Sequence, residues 1–277
     1  MTHTDGTFSG AAGHEIYWQA WVPEQPKAVV VLAHGLHEHS GRYADVAERL
    51  TGAGYAVYTV DHEGHGRSGG TKGNVGSMAG VLEDFDRVRR TAQEKHADLP
   101  LVVLGHSMGG LIALDYLVGK GQDGVRALAL SGAAVDTSAA GGIQLKVAPV
   151  LGRIAPNLGV LMLGSTNVSR DPVVVKDYED DPLNHNGKVR ARTGAEMLLA
   201  VQRVVAGMPT ITVPVIVMHG GDDKLVPVAG SRLIHDTIGS EDNTLKVYDG
   251  LYHEIFNEPE REQVLDDLVA WLDAHVG

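Results

Sequence analysis

The pentapeptide Gly105-His106-Ser107-Met108-Gly109 constrains this 277-residue chain more than any other stretch. The four residues before it, Leu101-Val102-Val103-Leu104, are a continuous apolar run, the pattern of a strand buried on both faces of a parallel sheet. Residues 110–117 after it are compatible with a helix. A serine between such flanks sits on a tight strand-to-helix turn, a nucleophile elbow. Glycines are needed there because neighbouring backbone comes close. The turn holds the Ser107 hydroxyl above the sheet edge, and the helix N-terminus behind it offers free N–H groups to a developing oxyanion.

Around this turn the chain alternates strand and helix signals. Apolar, β-prone runs fall at 16–21 (near an edge), 28–32, 55–60, 101–104 and 125–130, with helical patterns at 43–50 and 79–96. Such alternation predicts an α/β fold with a mostly parallel sheet covered by helices on both faces. From about residue 133 the pattern changes. Residues 139–164 are rich in Gly, Ala, Leu and Val with only Lys146 and Arg153 charged, 165–192 read as polar and turn-rich, and 192–205 suit a helix. Strands resume at 213–218 and 244–248, and an amphipathic helix ends the chain. The expected organisation is a core over 1–133, an inserted cap or lid over 134–208, and the rest of the core over 209–277.

A serine hydroxyl is a poor nucleophile until a base takes its proton and a third group orients the base. In this architecture the acid and the histidine follow the serine in that order, in loops at the C-terminal ends of strands. After the run at 213–218 comes His219-Gly220-Gly221-Asp222-Asp223, which offers two carboxylates. After the run ending at Tyr248 comes Asp249-Gly250-Leu251-Tyr252-His253. Of the fourteen histidines only His253 combines this order with this place. Ser107 is the expected nucleophile, His253 the general base and then acid, and one of the two aspartates the orienting group. The oxyanion would be met by backbone N–H groups of Met108, next after the nucleophile, and Leu36, in the loop after the run at 28–32.

Composition narrows the chemistry further. A formal charge of −12 argues against nucleic acid as partner and against a strong pull towards anionic lipid. The absence of cysteine removes thiolate metal sites and a cysteine nucleophile. Residues 1–6 carry no signal-peptide pattern and no run approaches the length of a membrane span, so a cytoplasmic or peripherally membrane- or envelope-associated location is expected. Residues 64–69 match G-x-G-x-x-G, but no helix pattern opens on them, so a dinucleotide site is not expected. The histidines at 34, 37, 39, 62 and 65 lack metal-ligand spacing and are read as loop hydrogen-bonding groups. No cofactor and no metal are expected. The apolar side chains between Ile143 and Leu163 suit either a buried cap core or a patch that touches lipid.

Three stretches together, residues 34–43 (HGLHEHSGRY), 61–68 (DHEGHGRS) and 105–110 (GHSMGG), resemble the monoacylglycerol lipases of the α/β-hydrolase superfamily. The resemblance covers nearly the whole chain and is weakest in the insertion. It implies an α/β-hydrolase fold and cleavage of a monoacylglycerol ester through an acyl-enzyme. Its acid loop pattern, G-x-x-D-x-x-x-P, favours Asp223. It implies a cap that admits one acyl chain, and Glu38, Arg42 and His106 as substrate-binding residues at the glycerol end. Glu38 and Arg42 would equally serve as an ion pair holding their loop. Vertebrate members carry a second histidine three residues after the catalytic one; here that position is Phe256, so polar recognition of the alcohol is expected to differ. The rival readings are a lysophospholipase or broad carboxylesterase using the same residues, and a ligand receptor on the same fold with little turnover.

Overall fold

The apolar runs become the centre of one eight-stranded sheet. A computed structural model describes residues 1–135 and 142–276, and of 142–145 the backbone alone. The elements in chain order are β1 (Thr2–Ser9), β2 (Glu15–Val22), β3 (Ala28–Ala33), α1 (Ala44–Gly52), β4 (Tyr55–Val60), α2 (Met78–Lys95), β5 (Leu101–His106), α3 (Met108–Gly119) and β6 (Val125–Ser131). Then come α4 (Gly142–Ile154), β7 (Gly159–Leu161), α5 (Pro172–Asp180), β8 (Val189–Arg190) and α6 (Ala191–Gly207). The chain closes with β9 (Val215–Gly220), α7 (Val228–Thr237), β10 (Asn243–Tyr248) and α8 (Arg261–Val276).

The strand order is β1-β2-β4-β3-β5-β6-β9-β10. From β4 to β10 every neighbour is parallel; β1 and β2 join antiparallel at one edge. All residues of β3, β4 and β5 are buried, as strands covered on both faces must be. Their side chains alternate between two cores. Val29, Val31 and Ala33 join Leu111, Ile112 and Phe85 under α2 and α3, while Val30 and Leu32 join Val46, Leu50, Leu265 and Leu268 under α1 and α8. The expected α/β class is therefore the observed one.

Three elements carry no signal in the sequence. β1 was not expected, because an edge strand of Thr, His and Asp side chains carries no apolar signal; it lies outside β2. The stretch read as polar and turn-rich contains α5, opened by the Asp171 side chain capping Val173 N–H and by Pro172 at its first position. α7 carries no helical signal either: its buried face is Gly230, Ser231 and Ile234, too small and polar for an apolar stripe. Between β6 and β9 the described residues add no strand to the main sheet; β7 and β8 pair only with each other, and α6 packs on α3 and α4. The start of the low-charge stretch, residues 139–141, and the side chains of Ile143 and Leu145 lie outside the described residues.

The loops leaving β3 and β4 bury five histidines, among them His34, His37, His62 and His65. The rings of His34 and His62 lie 4.2 Å apart between centroids, and His65 lies 5.5 Å from His34. His37 meets the edge of His185 at 4.7 Å. Burial first, then the neighbouring histidines, pushes their pKa values down: His34 to about 4, His37 and His65 to about 3, and His62 well below the ordinary value. All four are therefore neutral in the native state near neutral pH.

Two outcomes follow. The unfolded chain, with histidine pKa values of about 6.5, binds protons that the native chain refuses. The stability contributed by these neutral rings is complete above that pH and is lost progressively as pH falls towards their native values. Thermal unfolding across the acid range should show a steep loss of melting temperature; a flat profile down to about pH 5 would contradict the buried cluster. The second concerns α3. A Cβ on Gly109 would lie 1.9 Å from the Ala33 carbonyl oxygen at the end of β3. Gly109→Ala should cost about 2–3 kcal/mol or prevent folding, measured by chemical denaturation, and an unchanged midpoint would refute the close approach.

Candidate active site

The parallel register brings the candidate residues to one edge. Ala33 pairs with Gly105, His106 with Ser131, Ser131 with Met218, and Tyr248 with Gly220. Each of the loops after β3, β5, β9 and β10 therefore leaves the sheet at the same end, across the point where the successive strands β4 and β5 are laid down on opposite sides of β3. Ser107 follows β5 with φ 54° and ψ −119°, a backbone conformation that non-glycine residues rarely adopt. Its N–H donates to the Ser131 carbonyl at 2.9 Å, and its own carbonyl accepts from Gly110 and Ala134 at 3.0 Å. Among the described residues, no hydrogen bond holds its side-chain hydroxyl.

The two aspartates after β9 diverge. Asp222 is exposed, whereas the Asp223 side chain is fully buried. Asp223 Oδ2 accepts from His253 Nδ1 at 2.7 Å and lies 3.1 Å from His219 Nε2. Its Oδ1 accepts from the Leu225 and Val226 N–H groups at 2.8 and 2.9 Å. Burial alone would raise the carboxyl pKa; the hydrogen bonds from His219 and His253 outweigh it and hold Asp223 well below the usual carboxylate range. His219 is itself fixed, Nδ1 against Ser231 Oγ at 2.7 Å and Nε2 against the Val226 carbonyl at 2.9 Å. For His253, burial would lower the pKa, but the Asp223 bond and charge, then Glu254 and Glu38, raise it above the ordinary value.

The remaining candidates cluster beside this pair. The N–H groups of Leu36 and Met108 are bonded to no acceptor among the described residues; Met108 opens α3, where helix N–H groups have no internal partner. Glu38 and His106 line the same cavity as Ser107 and His253, whereas Arg42 stands behind them. His106 packs its ring 4.7 Å from that of His253, pairs Nδ1 with Ser131 Oγ at 3.0 Å, and is held neutral by burial and by His253, with its pKa near 4. Arg42 bridges two carboxylates: Nη1 donates to Glu38 Oε2 at 2.8 Å, and Nη1 and Nη2 donate to Glu254 at 2.6 and 2.7 Å. Burial would push Glu254 up; the Arg42 charge overrides this and holds it at about 2. Tyr178 of α5 lies over the Arg42 guanidinium at 4.8 Å.

Glu254, His219 and Tyr178 were not singled out from the sequence. Glu254 follows His253 directly, but its partner Arg42 is 212 positions away, and no local pattern reports such a pair. Phe256 is buried in the core under α8 and does not line the cavity.

Above these residues opens a cavity of about 1220 Å³. Its walls are apolar, with Leu151, Val160, Leu163, Met197, Leu198 and Val201 facing it. Its polar foot carries Ser107, His253 and two carboxylates, Glu38 and Glu254; the exposed Glu179 of α5 also lines the cavity. No lysine or arginine is among the described lining residues. Residues 64–69 form a loop whose Gly64 and Gly66 have positive φ, and the next helix, α2, begins only at Met78.

Comparison with known proteins agrees with this geometry. The family model described as serine aminopeptidase, S33, matches residues 24–260. The chain is 44% identical to "Monoacylglycerol lipase" of Mycolicibacterium smegmatis, over 99% of each chain. It is 32% identical to "Monoglyceride lipase" of Homo sapiens, over 95% of this chain and 88% of that one. The crystal structure of Paleococcus ferrophilus monoacylglycerol lipase superposes with a TM-score of 0.82 at 30% identity, covering 99% of this chain and all of the other. With this sheet order, these loops and these relatives, the chain belongs to the monoacylglycerol lipase family of the α/β-hydrolase superfamily.

Proposed function

We propose that this chain is a serine hydrolase that cleaves monoacylglycerols to glycerol and free fatty acid, with Ser107, His253 and Asp223 as its catalytic triad. The observation that carries the reading is the 2.7 Å Asp223–His253 pair beside a serine held at positive φ, at the foot of a large apolar cavity. His253 Nδ1 gives its proton to the Asp223 bond, which leaves Nε2 as the base for the Ser107 hydroxyl. Ser107 Oγ attacks the acyl carbon, and the carbonyl oxygen becomes an oxyanion between the N–H groups of Leu36 and Met108. His253 passes its proton to the departing glycerol oxygen. Water, activated by the same histidine, then attacks the acyl-enzyme and restores Ser107. The reaction needs no cofactor or metal.

The cavity supports a single-chain lipid with a neutral head. Its apolar walls suit one acyl chain, and a phosphorylated head group at the foot would meet Glu38 and Glu254 without a lysine or arginine among the described lining residues. Glu38 and His106 border the place of the glycerol, with Arg42 behind as the counter-ion of Glu38 and Glu254. Residues 134–208 serve as the cap. It exposes Val147, Val150, Ile154, Leu161 and Met162, of which Val147, Leu161 and Met162 also line the cavity, and we assign these apolar side chains to contact with a lipid surface. No helix among the described residues is long and apolar enough to cross a membrane.

Fatty-acid release from matched mono-, di- and triacylglycerols, a lysophospholipid and a short-chain ester tests the reading directly. Monoacylglycerol should be preferred, and Ser107→Ala should lose more than about 10³-fold in kcat. Equal rates on the lysophospholipid would sink the neutral-head assignment, and failure of a fluorophosphonate to label the folded protein would favour a receptor. The pH profile is a separate outcome. Because His253 is held above the ordinary histidine value of about 6.5, the acid limb of kcat/KM should have its midpoint above that pH. Activity is lost as pH falls through it. A limb below the ordinary value would remove the Asp223–His253 pair from the mechanism.

A further inference from the structure

Strand β9 is apolar as far as Met218 and then buries a histidine that takes no part in the triad. His219 is fully buried, and so is Ser231 of α7. A buried polar ring is costly unless both nitrogens find partners, and here they do. Nδ1 lies 2.7 Å from Ser231 Oγ, and Nε2 lies 2.9 Å from the Val226 carbonyl oxygen and 3.1 Å from Asp223 Oδ2. A carbonyl and a carboxylate can only accept, so Nε2 carries a proton, and in the neutral ring Nδ1 accepts from the Ser231 hydroxyl. The proton is directed at Val226, with Asp223 Oδ2 beside it. That oxygen is the one that His253 uses, at 2.7 Å.

We infer that His219 is a positioning residue of the triad: anchored by Ser231, it sets its Nε2–H against the Asp223 oxygen that orients His253 and so limits the hold of the aspartate on that imidazole. The inference rests on the hydrolase reading given above. The other oxygen, Oδ1, is held by the Leu225 and Val226 N–H groups, so the carboxylate keeps its orientation without His219. What His219 adds is the positive end of an N–H beside Oδ2. A carboxylate drawn on from a second side supports its imidazolium partner less strongly. The consequence is a base that stays unprotonated, and an enzyme that stays active, to lower pH than the Asp223–His253 pair alone would permit.

The other titratable groups around the pair are independent of His219. His253 faces Glu254 beside it, Glu38 from the loop after β3 with Arg42 behind, and His106 from β5. In the loops after β9 and β10, Asp222, Lys224 and Asp249 are exposed, and Lys224 donates to the Tyr252 hydroxyl at 2.6 Å. On α7, Arg232 and Asp236 are exposed and His235 is one turn beyond Ser231; on β10, Lys246 pairs with Asp267. Among the described residues none of these is bonded to the His219 ring, so replacing that ring leaves their bonds intact. His219→Leu fills similar space without a donor, whereas the amide nitrogen of His219→Gln reaches the place of Nε2 and returns one.

The test is the pH profile of kcat/KM on 4-nitrophenyl butyrate for wild type, His219→Leu, His219→Gln and Ser107→Ala. The acid limb of His219→Leu should move up by about 0.5–1 pH unit, so that its rate at the acid end, relative to its own plateau, falls by about 3–10-fold against wild type. His219→Gln should bring the limb back. A limb that stays in place or moves down in His219→Leu, or no return in His219→Gln, would overturn the inference: a ring that only fills space can lower the plateau but does not raise the basicity of His253. Nitrogen-15 NMR of the histidine rings in wild type needs no variant to fold. A proton on Nε2 and none on Nδ1 is expected at His219, and a protonated Nδ1 overturns the assignment. If Ser107→Ala turns over the ester as wild type does, the hydrolase reading fails and this inference with it. If Ser107→Ala is inactive while the limb is the same in wild type and His219→Leu, the positioning role alone fails.

Discussion

Ser107 sits in a backbone conformation that disfavours any side chain, and the rest of the architecture is what keeps it there. A residue at φ 54° and ψ −119° costs on the order of 1–3 kcal/mol and persists only where its surroundings over-determine it. Here the determination is explicit. The Ser107 N–H is bonded to Ser131 at the end of β6, and its carbonyl to Ala134 beyond β6 and to Gly110 in α3. Gly109 lets α3 pass against the end of β3, within a distance that no Cβ would allow. The aligned ends of β3, β5 and β6 set the place of the hydroxyl, and the same register delivers the Leu36 loop on one side and the His253 loop on the other.

Electrostatics then separates two histidines in contact. The rings of His106 and His253 lie 4.7 Å apart, and both are buried. His253 faces the Asp223 carboxylate and, beyond it, Glu254 and Glu38, so its charged form is favoured. His106 meets a serine hydroxyl at Nδ1 and the charge of His253 on its ring face, so it stays neutral. A pair of titratable groups pushed in opposite directions is what a proton-transfer site requires. Arg42 makes the arrangement sustainable. Glu38 and Glu254 would resist ionising side by side in a buried place, and one guanidinium between them satisfies both. Glu254 and Glu38 in turn favour the charged form of His253, the proposed base.

How much of this could be read from the sequence follows from how local each signal is. β3, β4 and β5 were legible because strands buried on both faces must be apolar throughout. β1 was not, because pairing with β2 holds it while most of its side chains face water. The serine and histidine positions were legible from motif and order. Asp222 and Asp223 could not be separated by position alone: adjacent side chains diverge, and only the fold decides which is buried against His253. The link from Arg42 to Glu254 was invisible, since it joins the loop after β3 to the loop after β10 and neither sequence announces the other.

The segment between β6 and β9 is tied to the loops that carry the chemistry, and this bears on how a lipid chain could assist reaction at its ester. The His185 N–H donates to the carbonyl of His37, and Asp181 pairs with His39 at 2.8 Å, both in the loop that holds Leu36. The Glu254 N–H donates to the Val168 carbonyl, and Arg170 pairs with Glu258 at 2.6 Å, both in the loop that holds His253. Residues flanking these anchor points, among them Val168, Tyr178 and His185, line the cavity itself. A chain lying against α4 and α6 would thus press on the same segment that is tied to the loops of Leu36 and His253, the proposed oxyanion donor and base. Binding energy from methylenes far from the ester can in this way be used to hold donor and base in the geometry of the transition state, which raises kcat where tighter binding alone would only lower KM.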